Sequence, residues 1–342
     1  MPQAQHAIVR VRRDGLLHDW FRLPKEAHEK FLGRLKRLAR LQESAPLAFQ
    51  DGPLRRMADG QDVEGWIEIV PVLEGEKAVI RLRAEPLGLD ALGLESTDLE
   101  RLRRCVRSSA GLLLVVGPRR AGLSTTLHAL LEAAEPARRH VALVEKDFHG
   151  DLPGVDQHAS DPSVGRSIAS LLRASAASGA EVIGLGALHD EAAAALAVSI
   201  AEHRLVIAVL EAESMQEALR RLLELRIEAR SAARVLKGVL VQRLARRVCS
   251  ECRRRDAMTR AQADQSGWPR SLTRRVFDTR HPRTVVRGAK CEHCQFTGHR
   301  GQIGVFEWND LVAPRRRRNT LLDSGVHKVL NGAIAPEEIL RT

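Results

Sequence analysis

Residues 111–131 have the sequence GLLLVVGPRRAGLSTTLHALL, and this stretch decides how the rest of the chain is interpreted. The apolar run at its start predicts a buried strand, and the run after its third glycine predicts a helix. Between them, residues 117–124 have the glycine spacing of the phosphate-binding loop G-x-x-x-x-G-K-[ST]. Gly117, Gly122 and Ser124 stand in their places, but Leu123 occupies the position of the lysine. The stretch therefore predicts the shape of a nucleotide-binding loop without its principal cation.

The composition is that of a globular protein. A chain of 342 residues is long enough for two domains, and its 44% apolar and 28% charged residues are ordinary for a soluble globular protein. The formal net charge of +11 would suit an anionic partner. However, the arginines are scattered along the sequence and aromatic residues make up only 3%. A nucleic-acid interface built on base stacking is therefore not favoured.

The sequence also suggests where the protein resides. No apolar run reaches the roughly 18–20 residues that a membrane span needs, and no signal peptide is recognisable. We therefore expect a cytoplasmic protein, peripheral at the inner membrane only through partners. Five cysteines in that compartment argue against a disulfide framework. Cys105, which has no partner by spacing, is expected to be a buried apolar residue.

The first 94 residues predict a small α+β domain followed by a linker. The charged stretch up to about residue 40 is predicted to be helical, because residues 24–41 place apolar side chains at helical spacing. Later runs, beginning with residues 46–57, are rich in β-branched and apolar residues and predict short strands. The dipeptide Asp51-Gly52 predicts the hairpin turn between the first two of these strands.

From about residue 95 the chain alternates predicted strands with predicted helices. This pattern is typical of an α/β fold with a mostly parallel sheet and crossover helices. After the loop, strands are predicted at 140–145, 181–190 and 205–211, and helices at 163–177, 191–201 and from Ser214. We expect residues 231–248 to be a basic helix and the end of the chain to form short helices.

Two C-x-x-C pairs, separated by the basic residues 253–290, predict a structural zinc site. Its ligands would be Cys249, Cys252, Cys291 and Cys294. Each pair places two thiolates on one turn, and two turns complete a tetrahedral site with no open coordination position. The alternatives are two unrelated pairs of reduced cysteines, or a redox pair, although a redox pair should begin a helix in a thioredoxin-like unit.

The cysteine pairs belong to a longer signature. The segments QRLARRVCSEC, residues 242–252, and CEHCQFTGHRGQIGVFE, residues 291–307, resemble the tetracysteine region of the type II secretion and type IV pilus assembly ATPases, the general secretion pathway protein E type. Thr297 and Gly298 keep the family's places, whereas Gln302 replaces an arginine. The resemblance covers most of the chain, since residues 111–131 are similar to the family's Walker A segment, VIGLGALHD to its Walker B segment and EHRLVIAVL to its histidine box.

This resemblance implies an architecture and a setting. The fold would be a RecA-like P-loop NTPase core with a small N-terminal domain and a tetracysteine zinc subdomain. The implied boundaries are an N-terminal domain and linker at 1–94, the core at 95–248, the zinc subdomain at 249–301 and a C-terminal helical segment at 302–342. The resemblance also implies an oligomer, usually a hexameric ring, at the cytoplasmic base of a secretion or pilus machine.

The departures from the family fall on elements that would converge on one nucleotide site. Leu123 replaces the Walker A lysine, Ala187 the Walker B glutamate, Lys146 an acidic-box aspartate, Leu210 the second histidine of the histidine box, and Trp66 an arginine of the N-terminal domain. Loss of a positioned cation and of a proton acceptor should each slow phosphoryl transfer strongly. A degenerate ATPase is the simplest account.

Some residues could still bind ATP and Mg²⁺. The nucleotide-binding candidates are Gly117, Arg119, Arg120, Gly122, Ser124, Thr125 and Asp190. Either arginine could reach a phosphate in place of the lysine, although both could equally be exposed loop residues. Ser124 could hold Mg²⁺ or cap the helix, and Asp190 could order the loop near Ala187 or cap the next helix.

Glu145 and His203 are the remaining catalytic candidates. Glu145 keeps its place in the acidic box, and His203 is the first histidine of the histidine box. Because the groups that would act with it are replaced, His203 is at least as readily a structural histidine.

Three functions are compatible with the sequence. The first is a hydrolysis-deficient family member that acts as an assembly or regulatory subunit, with machine subunits and an active paralogous ATPase as candidate partners. The second is an active ATP-hydrolysing motor with a rearranged loop. The third is a zinc-containing nucleic-acid-binding protein that uses the basic insert, against which stands the lack of a recognition helix with base-reading residues at regular spacing.

Overall fold

The computed structural model describes residues 2–3, 5–43, 48–58, 61–82, 86–146, 151–277, 282–313 and 319–341. These residues divide into two compact units, Met1–Glu85 and Pro86–Thr342. No helix among the described residues is both long and apolar enough to cross a membrane.

The first unit combines a hairpin, a helix and a three-stranded antiparallel sheet. Its elements are β1 His6–Arg13, β2 Leu16–Pro24, α1 Lys25–Leu38, β3 Gln50–Ala58, β4 Gln61–Val72 and β5 Gly75–Leu82. Helix α1 buries Leu32 and Leu35 against Ile67 and Ile69 of β4, which forms the unit's apolar core.

The prediction of helix before Lys25 is wrong, because β1 and β2 pair there as a hairpin. Its turn is the dipeptide Asp14-Gly15, in which both residues adopt left-handed φ angles, 50° and 82°. That is the mirror-image turn that matches the twist of two paired strands. In the second half of residues 6–13, apolar and charged side chains alternate with a period of two. This alternation is typical of a strand, and the helical prediction did not take it into account.

The prediction of a turn at Asp51-Gly52 is also wrong. Both residues lie inside β3, opposite Glu68 and Ile67 of β4. The glycine is needed for close packing, since a Cβ on Gly52 would lie 3.1 Å from the carbonyl oxygen of Ala39 at the end of α1. A glycine at the close approach of two backbones cannot be told from a turn glycine by its sequence alone.

The second unit is an α/β domain. Its helices are α2 Ser96–Val106, α3 Leu123–Ala133, α4 Ile168–Ala177, α5 Glu191–Ala201, α6 Met215–Glu224, α7 Ala229–Val235, α8 Arg260–Gln265, α9 Arg270–Val276 and α10 Leu321–Leu330. Its strands are β6 Gly111–Gly117, β7 Val141–Glu145, β8 Val155–Ala159, β9 Val182–Leu185, β10 Leu205–Glu211, β11 Leu236–Val248, β12 Arg253–Met258, β13 Arg283–Gly288 and β14 His299–Asp310.

Seven of these strands form one sheet in the order β14-β11-β6-β10-β9-β7-β8. All neighbours are parallel except β11 and β14, so the predicted mostly parallel sheet is confirmed. Strand β6 is buried on both faces: Leu112 and Leu114 enter one apolar core, and Leu113 and Val115 enter the other. A continuous apolar strand is what a sheet covered by helices on both sides requires.

Two strands replace predicted helices. Residues 236–248, expected to be a basic helix, form β11, and residues 299–310 at the start of the expected helical end form β14. In β11, Val239 and Val241 enter one core while Leu240 enters the other. The scattered arginines suggested a solvated helix, but pairing with β6 and β14 sets the conformation. Strand β8 was not predicted.

The insert between the cysteine pairs, in which no pattern was recognised, packs into an apolar core that it shares with β11, β14 and α10. Strands β12 and β13 pair antiparallel, and α8 and α9 lie between them in sequence. Trp268 is 2% exposed and packs with Met258, Leu272 and Val285. Its indole Nε1 donates a hydrogen bond to the carbonyl oxygen of Pro336 at 3.2 Å, so the last turn of the chain closes this core.

Strand β11 also holds the loop that follows β6. Gln242, only 2% exposed, donates from Nε2 to the carbonyl oxygen of Ala121 at 2.6 Å. Its Oε1 accepts a hydrogen bond from the hydroxyl of Thr126 in α3 at 2.6 Å. A Cβ on Gly117 would lie 2.6 Å from the carbonyl oxygen of Gln242, so the loop passes directly over this strand. The loop is therefore shaped by protein contacts.

We predict that Thr126→Val destabilises the protein by about 1–3 kcal/mol, because it removes the donor from the buried Oε1 of Gln242. Thr125→Val is the matched control, since Thr125 is exposed and the change in shape and helix propensity is the same. Urea unfolding followed by circular dichroism measures both variants. Equal losses at the two positions would show that the buried hydrogen bond contributes nothing.

Candidate functional site

A cleft of about 670 Å³ lies at the carboxyl end of the parallel strands. Its walls come from residues 119–125 except Ala121, from residues 186–189 after β9, from residues 209–211 at the end of β10 and from α6. Because β6 and β10 are parallel neighbours, the carboxyl ends of both strands lie at the same edge of the sheet. Ligand sites in open parallel sheets lie at this edge.

The loop has the backbone shape expected of a phosphate-binding loop. Arg120 and Gly122 adopt left-handed φ angles of 68° and 82°, and α3 begins at Leu123. Gly122 is the N-cap residue, and no side chain accepts a hydrogen bond there. Ser124 therefore does not cap α3, and both Ser124 and Thr125 line the cleft. The amino end of a helix favours an anion at this position.

Leu123 places an apolar branch where the lysine would stand. It is 8% exposed and packs in the core with Leu127 and Ala121, while one side of it lines the cleft. The residue thus adds to the stability of the core and presents no positive charge to a ligand. On the opposite wall, Ala187 and Leu210 also line the cleft, and neither carries a group that accepts a proton.

The two loop arginines lie at the mouth of the cleft. The side chain of Arg119 is 85% exposed, and its Nε lies 3.5 Å from Oε1 of Glu211, whose side chain is 52% exposed. Arg120 is exposed and lines the cleft as well. Glu211 was not among the predicted site residues. The signal that could have identified it is its place as the last residue of a strand in a parallel sheet.

Glu145 lies beneath the cleft. It ends β7, is 4% exposed, and its Oε2 is 3.5 Å from Nε2 of His128 in α3. A Cβ on Gly186 would come within 2.7 Å of the Cβ of Glu145, so the segment after β9 covers this carboxyl group. His128 was not predicted as a site residue. It lies in the apolar helix α3, and nothing in the helical spacing distinguishes it from its neighbours.

Two predicted residues take structural positions. Asp190 caps α5, since its Oδ1 accepts a hydrogen bond from the N–H of Ala193 at 2.7 Å, and it is not part of the cleft wall. His203 is exposed and precedes β10, whose first residue pairs with Gly111 at the amino end of β6. The length of β10 separates His203 from the loop of the same chain by about 20 Å. The structure therefore places His203 away from the loop, whereas Asp190 directly follows His189 of the cleft wall.

Trp66, which stands where the family has an arginine in its N-terminal domain, lies in the first unit. Trp66 donates from Nε1 to Oδ2 of Asp51 at 3.0 Å. Arg81, opposite Trp66 on the neighbouring strand, is ion-paired with Glu68. Lys146, in the second unit, is exposed directly after Glu145.

The four predicted cysteines form one cluster. Sγ of Cys249 lies 3.9 Å from that of Cys291, and Sγ of Cys294 lies 3.8 Å from those of Cys252 and Cys291. All four sulfurs lie within 4.8 Å of one another. A tetrahedral site with zinc–sulfur bonds of about 2.3 Å has sulfur–sulfur distances of about 3.8 Å. The sulfurs are too far apart for disulfides, and the cluster could hold a tetrahedral metal ion.

One cysteine of the cluster favours the thiolate form. Burial raises the pKa of the Cys294 thiol, but the N–H of Gly298, 3.2 Å from its Sγ, and hydrogen bonds from Cys291 and Cys252 outweigh burial and lower the pKa to about 6. By contrast, burial raises the pKa of Cys105 to about 12, with a smaller contribution from Asp310. Cys105 was expected to be buried and is only half-buried, but its raised pKa makes it an unreactive thiol.

Comparison with known proteins agrees with these observations. The chain matches the family model described as Type II/IV secretion system protein over residues 1–339. Type II secretion system protein E of Dickeya dadantii (strain 3937) is 30% identical over 360 aligned residues, which cover 98% of this chain and 70% of that protein. Type IV pilus assembly ATPase TfpB of Acinetobacter baylyi is 27% identical, with 99% of this chain and 61% of that protein covered.

Solved structures share the fold. The ATPase DotB of Legionella pneumophila superposes with a TM-score of 0.66 at 12% identity, covering 99% of this chain and 91% of DotB. The pilus retraction motor PilT with bound ADP superposes with a TM-score of 0.53 at 19% identity, covering 72% of this chain and 76% of PilT. The fold, the tetracysteine cluster and the match along almost the whole sequence lead to one assignment: the chain belongs to the type II/IV secretion system protein family.

Proposed function

We propose that this chain is a hydrolysis-deficient member of its family, acting as an assembly or regulatory subunit at the cytoplasmic base of a type II secretion or type IV pilus machine. The observation that carries the proposal is the cleft itself. Its loop keeps the phosphate-binding shape, while Leu123 and Ala187 occupy the positions from which the family's cation and base would act.

The missing cation bears on binding and on catalysis. In a P-loop the lysine lies against the β- and γ-phosphates, where charge develops during transfer. A buried leucine offers no electrostatic stabilisation and leaves the dianion facing an apolar surface. Removing one positioned charge from such a site costs about 3–4 kcal/mol in the transition state. Ser124 remains placed to hold Mg²⁺, but it cannot replace the charge.

The missing base affects hydrolysis separately. The methyl group of Ala187 cannot orient or deprotonate an attacking water. Glu145 is a carboxylate near this point, but it is 4% exposed and lies beside His128 beneath Gly186. The described residues that follow β9 therefore present no carboxylate to the cleft, because Asp190 is engaged in capping α5.

The second candidate function is an active motor with a rearranged site. What favours it is the group Arg119, Arg120 and Glu211 at the mouth of the cleft, which supplies two cations and one carboxylate. A nucleic-acid-binding role gains no support from the described residues. The basic insert forms a packed core, and its helices α8 and α9 are only 6 and 7 residues long.

The proposed setting follows from the relatives. Proteins named for type II secretion and for type IV pilus assembly match 97–99% of this chain. We therefore propose that the protein is cytoplasmic, forms a homo- or hetero-oligomer, and meets the membrane only through subunits of the machine. An active paralogous ATPase is the partner that an inactive subunit would need.

We also propose that the four-cysteine cluster binds zinc as a structural ion. The observed sulfur separations of 3.8–3.9 Å fit a tetrahedral four-thiolate site. Such a site has no open position for a substrate. Its role would be to connect the start of β12 to the end of β13, which Cys252 and Cys291 flank.

We predict that the purified protein, alone or assembled, releases no phosphate from MgATP above background. Leu123→Lys should not change this result, because the side chain at position 187 still cannot accept a proton from water. A coupled phosphate-release assay measures turnover. Adding Ala187→Glu to Leu123→Lys supplies the missing acceptor, and we expect this double variant to be the first with measurable turnover.

The motor candidate makes the opposite prediction for the unmodified chain. It requires Mg²⁺-dependent turnover that falls in Arg119→Ala or Arg120→Ala and rises in Leu123→Lys. Arg138→Ala is the control for Arg119→Ala, because the two side chains are 82% and 85% exposed and Arg138 lies outside the cleft. Turnover with this pattern would overturn the proposal of a hydrolysis-deficient subunit.

We predict one zinc ion per chain by elemental analysis. Cys252→Ser should lower the zinc content at least tenfold and reduce the thermal stability, because a three-thiolate site binds zinc more weakly. Cys105→Ser is the control, since Cys105 lies outside the cluster. Metal-free protein with an unchanged unfolding temperature after chelation would show that the cysteines stabilise the fold without zinc.

A further inference from the structure

We infer that Glu211 is a specificity-determining residue of the cleft: its carboxylate excludes phosphate groups, independently of the missing lysine. This inference rests on the proposed function, because it concerns how the same cleft discriminates against nucleotides. It assigns a role to a residue that the sequence alone did not single out.

The backbone register places Glu211 beside the start of the loop. Strands β6 and β10 pair residue for residue, and the last pair is Gly117 with Glu211. Paired residues on adjacent strands lie about 4.8 Å apart. Phosphates in a P-loop are cradled by backbone N–H groups of the residues that follow this first glycine. A carboxylate at Glu211 therefore lies within one side-chain length of the position that a phosphate would occupy.

The side chain of Glu211 is turned toward Arg119 of the loop. It lines the cleft, and its Oε1 lies 3.5 Å from Nε of Arg119 in the loop. Arg119 is one of the two cations that could take over from the lysine. A phosphate that recruited Arg119 would have to displace Glu211 from it. Because both side chains are more than half exposed, the pair itself is weak, and the fixed negative charge is the larger effect.

Neighbouring acids do not share this arrangement. Glu213, two residues further on, binds Arg243 through its Oε2 and does not line the cleft. Glu224 lines the cleft from α6, but its Oε1 lies 3.3 Å from Arg220 of the same helix. Among the described carboxylates of the cleft wall, Glu211 is the one that pairs with a residue of the loop.

The expected size of the effect follows from Coulomb's law. A carboxylate about 5–6 Å from a phosphate charge in a water-exposed cleft weakens binding roughly three- to tenfold for each phosphate charge it faces. Part of this is lost in salt, because the Debye length at physiological ionic strength is about 8 Å. Glu211→Gln keeps the shape of the side chain and removes its charge, so it isolates this contribution.

The test is the affinity for a fluorescent ATP analogue, measured by anisotropy at about 0.05 M and 0.5 M salt. Glu211→Gln is compared with the unmodified chain and with Glu213→Gln, which changes the net charge equally. The same comparison is made in the Leu123→Lys background, where the restored cation brings binding into the measurable range. We expect Glu211→Gln to bind at least tenfold more tightly at low salt, Glu213→Gln to lie within twofold of its parent, and the gain to shrink at high salt.

A double-mutant cycle with Arg119→Ala separates repulsion from competition for the arginine. A gain from Glu211→Gln that persists without Arg119 shows direct repulsion, and a gain that disappears shows release of Arg119. The first result supports the inference, in which the fixed charge is the larger effect, and the second overturns it. No gain in either background, or an equal gain from Glu213→Gln, overturns it.

The proposed function fails in a different way. If the unmodified chain binds and hydrolyses MgATP, the cleft is catalytic and Glu211→Gln should then lower turnover. If Leu123→Lys binds the analogue but Glu211→Gln adds nothing, the proposed function stands and the role of Glu211 is refuted.

Discussion

The residue-for-residue pairing of β6 with β10 is the constraint on which the site depends. It brings Gly117, Leu210 and Glu211 to one edge of the sheet, although almost a hundred positions separate the loop from the end of β10 in the sequence. The same alignment sends His203, at the other end of β10, to the opposite edge. Whether a residue of this chain can meet a ligand in the cleft is therefore decided by its position along a strand.

The loop keeps its shape through contacts that need no ligand. Gln242 of β11 binds both the carbonyl oxygen of Ala121 and the hydroxyl of Thr126, and Leu123 packs into the adjacent core. These contacts stabilise the strand–loop–helix unit as part of the domain. Chemistry at the loop requires other groups, namely a cation and a base. The shape of the loop and its chemistry therefore depend on different residues.

The cysteine cluster is a second, separate organising element. Its four sulfurs lie together beside the start of β12 and the end of β13, while Trp268 packs with apolar neighbours from the intervening helices. The insert is basic in sequence, yet it is held by a core and by a site suited to a metal. Among its described residues, Arg253, Arg254 and Arg255 are exposed, whereas Trp268 and Val285 are buried.

Some features of the protein could be predicted from local sequence alone. The apolar run before Gly117, the glycine spacing and the helix after it form a pattern within 21 residues, and the two C-x-x-C pairs carry the metal chemistry in their spacing. The sequence also identified Leu123 and Ala187, because a missing group is visible wherever a motif is recognised. Neither conclusion needed knowledge of which strands are neighbours.

Other features were decided only by tertiary structure. Strand β11 carries Arg243, Arg246 and Arg247, which favoured a basic helix, and only its pairing with β6 and β14 explains its extended conformation. Strand β14 is extended because it pairs with β11. Gly52 looks like a turn residue until the end of α1 is placed against it. Glu211 has no motif, and it becomes part of the cleft only through register. The physical reason is that periodicity reports contacts between residues close in the chain, whereas strand pairing and the approach of two backbones join residues far apart in it.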